Sequence, residues 1–337
     1  MAKAVKMSDI ADRLSISTVT VSKALSDQKG VSEEMRKKIK QLAKEMGYQK
    51  PESKEKDNIR SFNIGVIAAY GYMGKYETFY WELYRKINTE AVRRNCFVML
   101  EVISEDDENA SVPPKILKEH KVDGLIVLGG LRTKYLQMIR EHYSIPTVYM
   151  DFYDPAIKED CIISNSFYGS YLLTNYLFDK GHKDIGFVGT VLSTKSITDR
   201  YMGYFKSLAE HGITPREDWV IDDRDDRREN FHTFRLPEEM PTAFVCNCDM
   251  IASWFVRELQ KVGIRVPEDV SVVGFDDFLY PGLCDVPMTT YAVDMGKMAK
   301  SGMRVLLTKM NGESTSGGMH FVEGYFVERN SVTRIKE

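Results

Sequence analysis

Polar and hydrophobic positions in the first 48 residues repeat with helical spacing. Met7, Ile10, Ala11 and Leu14 fall at i, i+3, i+4 and i+7, the apolar stripe of one helix, with Ser8 placed to cap it. Val21, Ala24 and Leu25 form a second inward face after Ser17. Met35, Ile39, Leu42, Ala43 and Met46 form a third, capped by Ser32 and stopped at Gly47. Between Gln49 and Ser61 the pattern lapses into charges around Pro51, with Ile59 alone among them, and reads as a linker. From Phe62 onward, short apolar runs alternate with helical stretches. Strands are predicted at Ile64–Ala68, Phe97–Ile103, Gly124–Leu128, Thr147–Met150, Asp184–Val188, Trp219–Ile221, Ala243–Cys246 and Val270–Phe275. Helices between them include Tyr80–Arg93, Phe167–Asp179, Ile197–His211 and Met250–Val262. Near-continuous apolar strands separated by helices predict parallel sheets covered on both faces. Their number exceeds one comfortable open sheet, so two lobes are expected.

Composition narrows the class. Of 337 residues, 43% are hydrophobic and 28% charged, enough for a full core. No apolar run reaches the length of a membrane span, and the opening residues lack the apolar stretch of a secretory signal, so a cytoplasmic location is expected. Five scattered cysteines suit a reducing compartment. The net charge of −3 hides an asymmetry: residues 1–50 hold eleven Lys/Arg against six Asp/Glu, +5, which leaves −8 for the rest. A basic head on an acidic body is the footprint of a chain that meets nucleic acid at one end.

The second helix carries the chemistry of that head. With Val21, Ala24 and Leu25 turned inward, Thr18, Val19, Ser22 and Lys23 face solvent and Thr20 lies between the faces. Small hydroxyl residues and a lysine fit a major groove, and Val19 suits a thymine methyl; a Thr/Ser-rich surface helix without a partner is the plainer reading. The stretch Met7-Ser-Asp-Ile-Ala-Asp-Arg-Leu-Ser-Ile-Ser-Thr-Val-Thr-Val-Ser-Lys-Ala-Leu25, continued by Val31-Ser-Glu-Glu-Met-Arg-Lys-Lys-Ile39 and Met46-Gly-Tyr48, resembles the helix-turn-helix of the LacI/GalR family of bacterial repressors. The resemblance implies that Thr18, Val19 and Lys23 read bases, that Thr20 and Ser22 hold phosphates, and that a homodimer binds a near-palindromic double-stranded operator. The chain ends without a heptad tail, which favours a dimer over a tetramer. One departure concerns the linker. Where the family places a minor-groove leucine on a hinge helix, this sequence has a charged tract with Asp57, which phosphate repels, so a less ordered hinge is expected.

Ligands of parallel α/β sheets bind beyond the carboxyl ends of the strands. Those positions here hold Tyr70, Tyr72, Phe79, Tyr80 and Trp81, then Asp151, then Ser196, Asp199 and Arg200, and finally Asp276-Asp277. Aromatic faces with carboxylates and an arginine suit a polyhydroxylated ring, although each residue alone has an ordinary role in a core, a cap or a surface. The blocks Gly181-His-Lys-Asp-Ile-Gly-Phe-Val-Gly189, Arg200-Tyr-Met-Gly-Tyr204 and Val266-Pro-Glu-Asp-Val-Ser-Val-Val-Gly-Phe-Asp-Asp277 are similar to those of the same family's effector domain, which resembles periplasmic sugar-binding proteins. The resemblance implies effector contacts from Phe79, Tyr80, Asp151, Ser196, Arg200, Asp249 and Asp276. It also puts Cys248 where the family's pocket asparagine usually stands, with Asn247 beside it.

The expected organisation is a helix-turn-helix domain at 1–48 and a hinge at 49–61. An α/β two-lobed, periplasmic-binding-protein-like domain with Rossmann-like parallel sheets follows at 62–337. Its N-lobe spans about 62–161 and 291–321, and its C-lobe about 162–290 and 322–337. The expected function is allosteric transcriptional regulation, as a repressor of carbohydrate-utilisation genes, by a small sugar between the lobes. Induction is favoured over corepression. A purine is the alternative effector, and response to a phosphorylated protein partner is a further variant. A solute-binding transport protein is the rival of another class, but it has no use for a basic three-helix head. No membrane partner, cofactor, metal site or catalytic residue is expected. The six histidines are dispersed, Gly186-Phe-Val-Gly189 lacks the third glycine of a dinucleotide loop, and Cys246-Asn-Cys248 has no second ligand pair nearby. The run Ile221-Asp-Asp-Arg-Asp-Asp-Arg-Arg228 lacks the glycine of a calcium loop. It reads either as added polar grip on an oligosaccharide or as a solvated loop.

Overall fold

In the computed structural model, residues 5, 7–25, 31–46, 48, 61–74, 78–224, 234–278, 282–315 and 317–335 are described. Contacts divide the chain between Arg60 and Ser61 into two compact units.

The first unit holds α1 (Met7–Leu14), α2 (Thr18–Leu25) and α3 (Glu33–Glu45). Ile10, Ala11, Val21, Ala24, Ile39 and Ala43 are buried together, with Met7, Leu14, Leu25 and Leu42 packed around them. The three apolar stripes therefore meet, and a small core suffices because each helix contributes two fully buried side chains. Ser17 accepts from the Thr20 amide at 3.1 Å and starts α2; Ser32 accepts from the Met35 amide at 3.4 Å and starts α3. Ser8 does not cap α1. The helix already runs at Met7, which puts Ser8 inside its first turn and exposed. Gly47 and the hinge at 49–60 lie outside the described residues.

The second unit runs β1 (Asn63–Ala69), α4 (Phe79–Arg93), β2 (Phe97–Ile103), α5 (Glu105–Ala110), α6 (Lys115–Lys118), β3 (Gly124–Leu128), α7 (Thr133–His142), β4 (Thr147–Met150) and β5 (Asp160–Ser164). It continues with α8 (Ser166–Asp179), β6 (Ile185–Val188), α9 (Lys195–Glu210), β7 (Val220–Ile221), β8 (Ala243–Cys246), α10 (Asp249–Lys261), β9 (Ser271–Asp276), β10 (Thr289–Ala292), α11 (Met295–Met310), β11 (Met319–Val322) and β12 (Tyr325–Val327). Two six-stranded sheets result, ordered β11-β5-β4-β3-β1-β2 and β12-β10-β9-β8-β6-β7. Every pairing is parallel except β10 with β12. Strands β3, β4, β5, β6, β8, β9 and β10 are buried end to end, as expected for sheets sandwiched between helices.

The chain passes between the lobes three times: from β5 to α8, from β10 to α11, and from β11 to β12. The first sheet keeps β5 as far as Ser164, past the crossing expected at 161, and the second keeps β10 as far as Ala292. Four strands escaped the apolar pattern. In β5 the apolar run is only three residues long between Asp160 and Ser164, in β11 His320 interrupts a run of four, and β12 has three residues, so none carries a readable period. β10, Thr-Thr-Tyr-Ala, is buried throughout despite two threonines.

Candidate DNA-reading helix and ligand cleft

On α2, Thr18, Val19, Ser22 and Lys23 are exposed, Val19 to 60%. A 60% exposed valine on a helix whose other valine, Val21, is fully buried leaves an apolar spot on a polar face. That combination suits a groove that offers methyl groups among hydrogen-bonding edges. Thr20 is half-buried, and its hydroxyl lies 2.9 Å from that of Ser17, so it is tied into the cap of its own helix.

In the second unit the cleft residues stand where strands end. Asp151 follows β4 with φ +64°, Asp276 ends β9 with φ +94°, and Asp277 follows with φ +54°. Non-glycine residues in this region carry about 1–3 kcal/mol of strain, which persists where surrounding contacts impose it and gathers at functional sites. Around Asp151 those contacts are visible. Tyr80 donates its hydroxyl to the Asp151 Oδ2 at 2.9 Å, and its ring lies 4.4 Å from that of Tyr72, tilted by 47°. Gly129, at φ +73°, passes beneath both rings; a Cβ there would sit 2.9 Å from Tyr72 and 3.0 Å from Tyr80. Phe79 is buried on the inner face of α4 with Leu83, Ile87 and Ala91, edge-on to Tyr80 at 5.4 Å. The aromatic pair therefore splits: Tyr80 faces the cleft and Phe79 supports it from behind.

From the second lobe, α9 supplies Arg200, only 8% exposed. Its Nε donates to Ser166 at 3.3 Å, its Nη1 donates to the Asn247 carbonyl at 2.6 Å, and its guanidinium lies 3.9 Å from the Phe275 ring centre. Stacking and two donated bonds fix the plane of the arginine. Burial pushes the Asp151 carboxyl above its ordinary value against the opposing charge of Arg200 and the bond from Tyr80. Burial also lifts Asp276 to about 7, countered by Arg200 and the Phe278 amide, which donates at 3.0 Å, and helped by the charge of Asp151. Two buried carboxyls thus face one fixed cation, and desolvation outweighs its attraction.

The remaining expected residues divide. Ser196 is half-buried in the first turn of α9, 3.1 Å from the Thr194 hydroxyl. Asp249 belongs to the wall behind the cleft. It is 1% exposed, accepts from Thr290 at 3.0 Å, and fills the space that Gly274 leaves open. Burial and the neighbouring Asp276 hold its carboxyl far above the usual range. Asn247 is likewise committed, donating to Asp223 at 2.9 Å and to the Val188 carbonyl at 3.2 Å, while half-buried Cys248 sits beside Asp276 and Arg200.

Two residues were missed in the sequence, Asp223 and Tyr153. Asp223, fully buried, accepts from the Thr190 amide at 2.7 Å as well as from Asn247, and so anchors the charged run. It was masked by its acidic and basic neighbours; the short strand β7 just before it was the available signal. Tyr153 and Asp199, one from each lobe, meet at 3.2 Å. Positions 225–233 of the charged run lie outside the described residues. Among the described residues, no cluster of metal-ligating side chains occurs and no helix is long and apolar enough to cross a membrane.

Residues 6–51 match the family model for bacterial regulatory proteins of the lacI family, and residues 174–332 match the periplasmic binding protein-like domain. Over 330 residues the chain is 26% identical to the HTH-type transcriptional repressor PurR of Pectobacterium carotovorum subsp. carotovorum (strain PC1), covering 96% of each chain. With PurR of Vibrio campbellii (strain ATCC BAA-1116) it shares 27% over 333 residues, 97% of this chain and 98% of the relative. The fold is that of the transcriptional regulator CelR in complex with cellobiose, with a TM-score of 0.68 at 20% identity over 97% of this chain and 99% of the other. It is equally that of the lac repressor dimer bound to operator and the anti-inducer ONPF, with a TM-score of 0.65 at 22% identity over 98% and 100%. A lacI-type regulatory head and a periplasmic binding protein-like body are thus matched in turn, and along nearly its full length the chain is similar to HTH-type transcriptional repressors.

Proposed function

We propose that the chain is a cytoplasmic homodimeric repressor without catalytic activity, whose hold on a near-palindromic operator is set by a purine bound between the lobes. The observation that carries this reading is the convergence of Tyr80 and Asp151 from one lobe with Arg200 and Asp276 from the other. A planar ring fits against the tilted Tyr72–Tyr80 pair, its N–H groups address the carboxylates, and its ring acceptors take the remaining guanidinium donors. The full-length relatives carry the name PurR, which puts the purine ahead of a sugar. A sugar is the second reading, favoured by a third carboxylate, Asp199, which shares the field of Arg200 with Asp151 and Asp276: three carboxylates accept more bonds than a purine base donates.

Control follows from linkage. A ligand shifts the lobes only by binding one arrangement more tightly, and couplings of ~1–3 kcal/mol change operator affinity by roughly 5–150-fold. The test is a thermal-shift screen of purine bases and nucleosides against mono- and disaccharides, followed by operator titration with each hit. Purine hits that alter operator affinity support the first reading and give the sign of control. Saccharide hits alone transfer it to the second, and stabilisation by neither class refutes both.

A further inference from the structure

The lobes also touch through side chains, apart from the three crossings of the backbone. Tyr153, in the segment after β4, donates its hydroxyl to the Asp199 Oδ1 on α9 at 3.2 Å. Both partners are presented rigidly. On the first lobe, the Tyr153 ring packs against the apolar cluster of Tyr149, Phe152 and Ile157, and the next residue, Asp154, accepts from Thr133 at 2.6 Å. On the second, Asp199 lies in a helix whose first turn is capped by Thr194, and it immediately precedes Arg200. A bond between two fixed groups costs little side-chain entropy, so most of its interaction energy remains to hold the lobes together.

We propose that Tyr153 is a positioning residue: through Asp199 it keeps α9, and Arg200 with it, drawn against the first lobe before any ligand arrives. The proposal rests on the cleft being the ligand site, and its test is run without ligand, so that it fails or stands whichever effector class is correct. Half-buried Cys248 beside Arg200 reports on closure, and Cys284, also half-buried but outside the cleft, is the internal reference. Full-length protein is treated with methyl methanethiosulfonate, and labelling of each cysteine is followed by peptide mass spectrometry. Tyr153→Phe keeps the ring and removes only the hydroxyl. It is expected to speed labelling of Cys248 about tenfold, the loss of one hydrogen bond to a carboxylate, with Cys284 unchanged. Asp199→Ala breaks the bond from the other side and is expected to match it, and the double variant to be no faster than either. The proposal is overturned if Cys248 stays protected in both single variants, if both cysteines accelerate together, or if the two effects add. Should Tyr153→Phe not fold, Asp199→Ala alone decides between protection and release.

Discussion

Asp276 shows how burial sets chemistry at a single residue. Its carboxyl is lifted to about 7 because leaving water costs more than Arg200 returns. The sign follows directly. Between about pH 4 and 7 the folded chain binds more protons at this group than the unfolded chain does, so its contribution to stability is greatest in acid and fades as pH rises through that window. A ligand donating N–H or O–H to Asp276 needs the ionised form. We therefore expect binding near neutral pH to expel a proton and to tighten as pH rises toward 8. Calorimetry in buffers of different ionisation heat measures this, and a buffer-independent heat contradicts it. Arg200→Ala removes the stacked cation and is expected to abolish the effector's influence on operator affinity while operator binding itself survives. An unaltered response in a titration with ligand would show that the cleft is wrongly assigned. Little of this was legible in the sequence. Tyr80, Asp151, Arg200 and Asp276 were marked by their place after strands, but Asp249, marked only by the family resemblance, turned inward, because only the absence of a Gly274 side chain gives it room there.

At the scale of elements, the alternation of apolar runs gave away the long helices and the central strands, because burial on one or two faces leaves a period. It did not disclose β5, β10, β11 and β12, whose brevity leaves no period and whose burial comes from partners remote in sequence. The exposed face of α2 was fixed by its buried one, since Val21 and Ala24 allow only one orientation. Lys23→Ala is expected to weaken operator binding by about 1–3 kcal/mol without changing thermal stability, measured by fluorescence anisotropy beside a melting curve. Helices α8 and α9 approach so closely that a Cβ at Gly203 would fall on the Phe167 carbonyl. Gly203→Ala should therefore destabilise the second unit by about 2–3 kcal/mol in urea titration. A neutral result would mean that the helix pair yields more readily than its packing implies.

For the molecule as a whole, the division at Arg60/Ser61 separates the three-helix head from the two-lobed body. A chain beginning at Ser61 is expected to keep any ligand-induced melting shift and to lose operator binding; loss of both would mean that the second unit does not fold independently. The opposite charges of the first fifty residues and the rest let the head approach DNA while the body is repelled from it. The interlaced course of the backbone has a further consequence during synthesis. The outermost strand of the first sheet, β11, and α11, whose Met298, Met303 and Leu306 are buried in its core, are made well after the rest of that lobe. Until they leave the ribosome, that lobe has an open edge and a bare apolar face while its partner is nearly finished. Nascent chains stalled near residue 290 should thus resemble substrates for chaperones, and the first lobe closes only once α11 and β11 have been translated.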